Sequence, residues 1–283
     1  MIQYITGSAV ILALIAVIIH GNNALLIKKY VIVTGKTGLN GKSLKICHLS
    51  DLHNKGFPLN HRVIVSEIKK AHPDLIAVTG DSVKHEGFNH KNSIKLIKTL
   101  AAEYPVFLIT GNHEFGYRHY GSFIREIKEA GVHFLENKIV TINKNGKTIM
   151  VGGIQDLHFF DDDWEAYTET VGNLKNDDPR TPYIFLAHNP AYFETFKETD
   201  ADLILTGHTH GGQFRIPGIG GFFAPGQGFF PKYDAGVYQK DGCAMIISRG
   251  LGPSTFPIRI LNRPEIIFIQ LKFVGSSPNL RNS

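Results

Sequence analysis

The stretch Leu75-Ile76-Ala77-Val78-Thr79-Gly80-Asp81 decides how this chain reads. It is a short apolar run that stops at a glycine and a carboxylate. That pattern predicts a buried parallel strand whose last residue is presented at the carboxyl edge of a sheet. Open α/β sheets bind their ligands at that edge. Outward from it the same unit recurs: Leu44 to Ser50 is expected as a strand running into Asp51-Leu52-His53, and Val106 to Thr110 as one running into Gly111-Asn112-His113-Glu114. Arg62 to Ala71, Asn92 to Glu103 and Tyr120 to Ala130 carry helical period. The alternation predicts a sheet with helices on its outer face.

Beyond Ala130 the texture changes. His133 to Val151 holds short β-type segments around the turn Asn143-Lys144-Asn145-Gly146, expected as a second sheet built from hairpins. Tyr183 to Ala187 runs into His188, and Leu203 to Thr206 into Gly207-His208-Thr209-His210-Gly211-Gly212-Gln213. The predicted strands therefore end in groups able to bind a metal: Asp51 with His53, Asp81, Asn112, His188, and His208 with His210. Strand ends are neighbours in space, so these groups should converge. Carboxylate and amide oxygens mixed with imidazoles suit two closely spaced divalent first-row ions, whereas an all-oxygen set would suit magnesium or calcium and a thiolate set structural zinc. In an extended chain residues two apart point to the same side, so Asp51-x-His53 and His208-x-His210 can each offer both members to one site.

Composition bounds the remaining possibilities. With 43% apolar and 19% charged residues in 283, the chain is a folded protein with a sizeable core. The net charge of +5 is mild and no compact Lys/Arg cluster stands out, which excludes a dedicated nucleic-acid binder while suiting phosphorylated or anionic lipid partners. No protein partner is indicated. Cys47 and Cys243 lie inside apolar strand-like runs and are expected as buried thiols. Gly41-Lys42-Ser43 is not a phosphate-binding loop, because Lys36 stands where its first glycine is needed and no helix pattern follows.

From Ile2 to Ile19 the sequence is apolar and carries no charge, enough for a helix of roughly 27 Å. No Lys or Arg precedes it and no small-residue cleavage pattern follows, so residues 1–27 read as an uncleaved membrane anchor rather than a signal peptide. Lys28, Lys29 and Lys36 follow it, and the positive-inside rule then puts the rest of the chain on the cytoplasmic side of a single-pass cell-membrane protein. Residues 28–43 are expected as a linker, 44–273 as the catalytic domain and 274–283 as a flexible tail.

Asp51-x-His53, Gly80-Asp81, Gly111-Asn112-His113-Glu114, His188 and Gly207-His208-x-His210 resemble, in order and spacing, the five signature blocks of the calcineurin-like metallophosphoesterase superfamily. The extended block after Gly207, Ser248-Arg249-Gly250-Leu251-Gly252 and Arg263-Pro264-Glu265-Ile266, with the apolar N-terminus, resemble its bacterial membrane-associated branch, which includes UDP-2,3-diacylglucosamine pyrophosphatase-like enzymes. The resemblance implies an α/β fold, a four-layer α-β-β-α sandwich of two mixed sheets flanked by helices, here preceded by one N-terminal transmembrane helix. It implies two divalent cations of the Mn, Fe, Zn or Co class: Asp51, His53 and His210 at the first, Asn112, His188 and His208 at the second, Asp81 bridging. It further implies hydrolysis of a phosphodiester or pyrophosphate bond in a phosphorylated small molecule or lipid by a hydroxide shared between the metals, with His113 as general acid and charge stabiliser. Two other readings stand beside it: a catalytically silent scaffold of the same fold, and a phosphatase or cyclic-nucleotide phosphodiesterase acting on a soluble substrate.

The remaining histidines, His48, His61, His72, His85, His90, His119 and His133, carry no partner motif and are expected as ordinary core or surface residues. Asp156 and His158 are candidates for lining the cleft, and Asp161-Asp162-Asp163 for a helix N-terminus. Arg249, Arg259 and Arg263 read either as phosphate ligands or as solvated loop residues. Phe214 to Tyr238, rich in Phe, Gly and Pro, follows two ligands directly and should overhang the site, either as a packed loop or as an apolar lip meeting a bilayer or acyl chain.

Overall fold

The computed structural model describes residues 15–274 apart from 36–41, 57–60, 88, 145 and 255. In chain order the first part of the fold comprises β1 (Leu26–Thr34), β2 (Ser43–Leu49), α1 (Arg62–Ala71), β3 (Leu75–Thr79), α2 (Lys91–Ala101), β4 (Val106–Ile109), α3 (Tyr120–Glu129) and β5 (His133–Phe134). The second comprises β6 (Lys138–Lys144), β7 (Lys147–Gly153), α4 (Trp164–Gly172), β8 (Tyr183–Leu186), α5 (Phe193–Lys197) and β9 (Leu203–Thr206). Two short ribbons follow, β10 (Arg215–Ile216) with β11 (Gly220–Gly221) and β12 (Phe223–Ala224) with β13 (Gly228–Phe229). The chain closes with β14 (Gly236–Lys240), β15 (Cys243–Ile247) and β16 (Glu265–Phe273).

Two six-stranded mixed sheets result, in the orders β1-β16-β2-β3-β4-β5 and β14-β15-β9-β8-β7-β6. Strand residues alternate between two faces, and here both faces of each sheet are buried, which is why these strands read as unbroken apolar runs. In the first sheet Cys47, Leu49, Ile76, Val78, Val106 and Leu108 face α1, α2 and α3. Their alternates Leu44, Ile46, Leu75, Ala77, Phe107 and Ile109 meet Ile184, Leu186, Leu203 and Leu205 of the second sheet. Tyr183, Phe185, Ile204 and Met245 point the other way, onto Tyr167 and Val171 of α4 and Phe193 and Phe196 of α5. Helix, sheet, sheet and helix thus stack as layers. Cys47 and Cys243 lie in different outer layers, so no disulfide joins them.

Helix ends follow local chemistry. The α1 face buries Ile64 and Ile68, and the helix stops where His72 turns left-handed (φ 47°) ahead of Pro73. Asp163 caps α4 by accepting from the backbone N–H groups of Glu165 (3.0 Å) and Ala166 (3.1 Å), the role its acidic run foretold.

Two expectations change, and a third falls largely outside the described residues. The linker over 28–43 gives way in its first half to β1, an edge strand lying parallel to β16 from Leu26↔Glu265 to Thr34↔Phe273. Ile32 and Thr34 face inward while Val31 and Val33 face out, a period of two that the intervening lysines obscure. The second sheet contains the expected hairpin, β6 with β7, but is not built from hairpins throughout: β15, β9, β8 and β7 run parallel, and only its edges, β14 and β6, pair antiparallel. The single-pass anchor also lacks support, since no helix among the described residues is long and apolar enough to cross a membrane. Residues 15–23 are helical, and the apolar stretch 2–14, like the tail 275–283, lies outside the described residues.

Candidate metal centre

The carboxyl ends of β2, β3 and β4 face those of β8 and β9 across the inter-sheet layer, and the seven expected ligands meet there. Asp51, His53, Asp81 and His210 form one group and Asp81, His188 and His208 a second, with the ligand atoms of each within 4.8 Å of one another. Asp81 belongs to both. Its Oδ2 lies 3.7 Å from His53 Nε2 and 3.2 Å from His188 Nε2. Asp51 Oδ1 lies 3.4 Å from His210 Nε2, and the Nε2 atoms of His53 and His210 are 3.2 Å apart. On the other side, Asn112 Oδ1 is 3.0 Å from His208 Nδ1.

The pairs two apart do share a side, but not through extended backbone. Asp51, His53, Asp81, His208 and His210 all adopt left-handed conformations, with φ between 46° and 69°. Each costs a non-glycine residue roughly 1 kcal/mol, an expense held at the site by the surrounding fold. Gly207 is required for close approach: a Cβ there would collide with Ser50 Oγ and Asp51 Oδ2. At Gly80 a Cβ would stand 2.5 Å from Gly111 N and 2.8 Å from His188 Nδ1.

The residues fit cations on their own chemistry. His188 Nδ1 is 2.7 Å from the Thr79 carbonyl, which only accepts, so Nδ1 carries a proton and Nε2 is the atom turned toward Asp81, where it can hold either a proton or a metal. Nε2 lies 3.2 Å from the Asp81 carboxylate without the geometry of a hydrogen bond, a placement that calls for positive charge there, carried by a proton on the ring or by a cation between the two atoms. Without metal, burial works to lower the His188 pKa, but Asp81 and Asp51 outweigh it and raise it well above that of free imidazole. Burial likewise works to raise Asp81, and His188, His53 and His113 outweigh it, holding that carboxyl well below its usual range. Burial pushes Asp51 up to about 6, with His188 opposing and Asp81 adding. It drives His53 down to about 3 and His208 to about 4, keeping both in the neutral form that binds metal. The cluster is thus compatible with a dinuclear divalent metal site.

His113 stands beside the centre rather than in it. Its ring meets that of His53 edge-on, with centroids 4.7 Å apart. Its backbone N–H donates to Asp81 Oδ1 (2.9 Å), and its Nδ1 accepts the backbone N–H of His85 (3.2 Å). His85, which carries no motif, therefore has a structural part at the rim. His48 is the buried core histidine expected of it, donating from Nε2 to Thr79 Oγ1 (2.8 Å), which in turn donates to Ser50 Oγ (2.8 Å). Asp156 is buried with Oδ1 2.6 Å from Nδ1 of the half-exposed His158, whose ring lies 6.0 Å from that of Phe115.

Two residues named from the sequence prove to have supporting roles that it does not spell out. Glu114 accepts four backbone N–H groups: Asp81 (2.9 Å) and Gly111 (2.7 Å) on Oε2, and Ser82 (2.6 Å) and Val83 (3.2 Å) on Oε1. It locks two ligand loops together, a role that its place at the end of the block Gly111-Asn112-His113-Glu114 does not reveal. Arg259 is neither solvated nor a phosphate ligand. It is 1% exposed, donates to the carbonyls of Arg249 (2.8 Å) and Gly252 (2.6 Å), and lies 3.3 Å from His210 Nδ1. The loop it grips supports the first group from below, with Leu251 N donating to Ser50 O (3.0 Å) and Gly252 N to Asp51 O (2.6 Å).

Comparison with known proteins agrees with this geometry. Residues 44–212 match the calcineurin-like phosphoesterase family model. The uncharacterized metallophosphoesterase YkuE of Bacillus subtilis is 31% identical over 87% of this chain and 83% of its own. An uncharacterized metallophosphoesterase of Aquifex aeolicus is 30% identical over 88% and 93%. The phosphodiesterase YaeI of Escherichia coli is 31% identical over 82% and 83%. With five ligand-bearing strand ends converging and more than half the chain matched, this protein belongs to the calcineurin-like phosphoesterase family and is a metal-dependent hydrolase.

Proposed function

We propose that the chain hydrolyses a phosphodiester or pyrophosphate bond by direct attack of water, without a phospho-enzyme. Its N-terminal apolar run would hold it at a membrane, where a lipid-linked or nucleotide-linked phosphate is the substrate class. The observation that carries the chemistry is the Asp81 carboxylate facing His53 on one side and His188 on the other. Asp51, His53 and His210 would hold the first cation, Asn112, His188 and His208 the second, and Asp81 both. Bound there, two divalent cations supply Lewis acidity and a water acidic enough to be a nucleophile at neutral pH. The name of the E. coli relative, a phosphodiesterase, favours a diester.

His113 would serve the leaving oxygen. Because its Nδ1 accepts from His85, the ring carries its proton on Nε2, the atom free to bond to or protonate that oxygen. Burial holds its pKa below that of free imidazole, with Asp81 opposing. Glu114 and the Thr79 carbonyl orient Asp81 and His188 and leave the reacting atoms alone.

Hydrolysis of bis-p-nitrophenyl phosphate by metal-reconstituted protein tests the assignment. Asp81→Asn is expected to lose both metal occupancy and turnover. His113→Ala should keep its metals and slow turnover by about 10²- to 10⁴-fold. Wild-type rates in both variants would remove the proposal.

A further inference from the structure

A band of apolar side chains stands uncovered beside the centre. Ile219, Phe223, Phe229, Phe230, Phe256 and Leu261 are all exposed, Phe229 by 66% and Ile219 by 68%. They belong to one continuous surface. Phe222 N donates to Phe214 O (2.7 Å) and Phe230 N to Phe222 O (2.9 Å), while Arg215 N donates to Ile260 O (3.1 Å) and Gln213 Nε2 reaches Ile258 O (2.9 Å). The band is tied to the ligand loop at two points. Thr209, between His208 and His210, donates to Asp234 O (2.6 Å), and Asn262 Nδ2 donates to His210 O (2.6 Å). Asp234 in turn fastens Gly221 N (2.6 Å) and Arg215 (3.0 Å).

The helical segment 15–23 lies against the same surface. Gly21 packs on the Arg259 carbonyl so closely that any Cβ would collide with it, and Lys55 Nζ donates to Asn22 O. A groove lined by Val17, His20, Leu261 and Arg263 runs between segment and loop. The sequence entering this segment, residues 2–14, is apolar and free of charge. The described part of the segment that follows this run thus lies beside Leu261, at one end of the band. Arg263 and the exposed Lys232 flank the band, Arg215 is held in its ion pair with Asp234, and the nearby acids Asp234 and Glu265 are buried.

We propose that this band is a second membrane contact: it inserts into the boundary of an anionic phospholipid bilayer and holds the metal centre at the headgroup level. The inference rests on the membrane placement proposed above and deepens it. Apolar side chains at such a boundary sit about 5–10 Å deep, and flanking basic residues favour anionic lipid. The partner's chemistry follows from the run of residues 2–14 and from the charges around the band. The substrate phosphate would then be presented by the bilayer itself.

A single tryptophan in the chain, Trp164, makes the test direct. In the full-length protein carrying Trp164→Phe, one new tryptophan is placed either in the band (Phe229→Trp) or before β4, at the edge of the sheet remote from the metals (Tyr104→Trp). Each protein is floated with vesicles of phosphatidylcholine and phosphatidylglycerol whose acyl chains are brominated. The expected result is flotation of both, with the band tryptophan losing roughly half its emission or more and the remote tryptophan unchanged. Flotation with an unquenched band tryptophan would overturn the band while leaving the anchor standing. Failure to float would overturn both. A band emission that shifts with protein concentration in the absence of vesicles would mean that a second copy covers this surface, and would also overturn the proposal.

Discussion

At the scale of single residues, what distinguishes this centre is how much of it serves to hold other residues still. Left-handed backbone at five ligand positions is unfavourable locally, so it persists only where something insists on it. Glu114 is that constraint for Asp81. Burial and the Asp81 charge push the Glu114 pKa up to about 8, but its two oxygens each take two backbone N–H groups, an all-acceptor arrangement that favours the carboxylate, and bonds to that charged form are worth more than neutral ones. Glu114→Gln keeps the shape but turns one oxygen into an NH₂ group facing two N–H donors. It is expected to weaken metal affinity by about 10- to 100-fold, read by titrating metal into the metal-free protein. Unchanged affinity would show that the loops hold their shape without the carboxylate.

At the scale of elements, the loops after β9 and β15 form one unit with Arg259 at its centre. A buried guanidinium spread over several carbonyls fixes the loop 249–252, which fixes the backbone of Ser50 and Asp51, while Asn262 and Asp234 fix the turn carrying His208 and His210. Removing the cation would leave those carbonyls buried without donors. Arg259→Met is expected to destabilise the fold by about 3–5 kcal/mol, measured by urea unfolding. Arg259→Lys should not restore stability, because one ammonium cannot reproduce the planar fork. Full rescue by lysine would mean that charge alone matters there.

At the scale of the whole molecule, stability should carry the signature of a polar layer placed between two apolar sheets. His48 lies in that layer, and burial drives its pKa down to about 3. In the unfolded chain the same imidazole titrates near 6.5, so below that pH the unfolded state binds the proton that the folded state refuses. The contribution is complete above about pH 6.5 and is lost as the pH falls toward 3, by about 1.4 kcal/mol per unit. Between pH 7 and pH 5 this residue alone should cost the fold about 2 kcal/mol. His48→Gln should flatten that part of the pH profile in equilibrium unfolding. An identical slope in the variant would place the titration elsewhere.

The candidate ligand set was legible in the sequence because chemistry at a sheet edge leaves a local mark: an apolar run that stops at a polar donor, with a glycine just before it at Asp81, Asn112 and His208. Asp81, His188 and the pairs Asp51 with His53 and His208 with His210 could each be found without knowing where the strands lie. The central strands were legible for the same reason, since burial on both faces writes an unbroken apolar word. β1 was not, because an edge strand is half exposed and its lysines disguise the alternation. The parallel order of the second sheet, the left-handed turns at the ligands, the grip of Glu114 on four amides and the burial of Arg259 were decided by the tertiary structure alone. Each depends on groups far apart in the chain being pressed together. A backbone amide or carbonyl has the same spelling at every position, so no sequence records which of them a carboxylate or a guanidinium will hold.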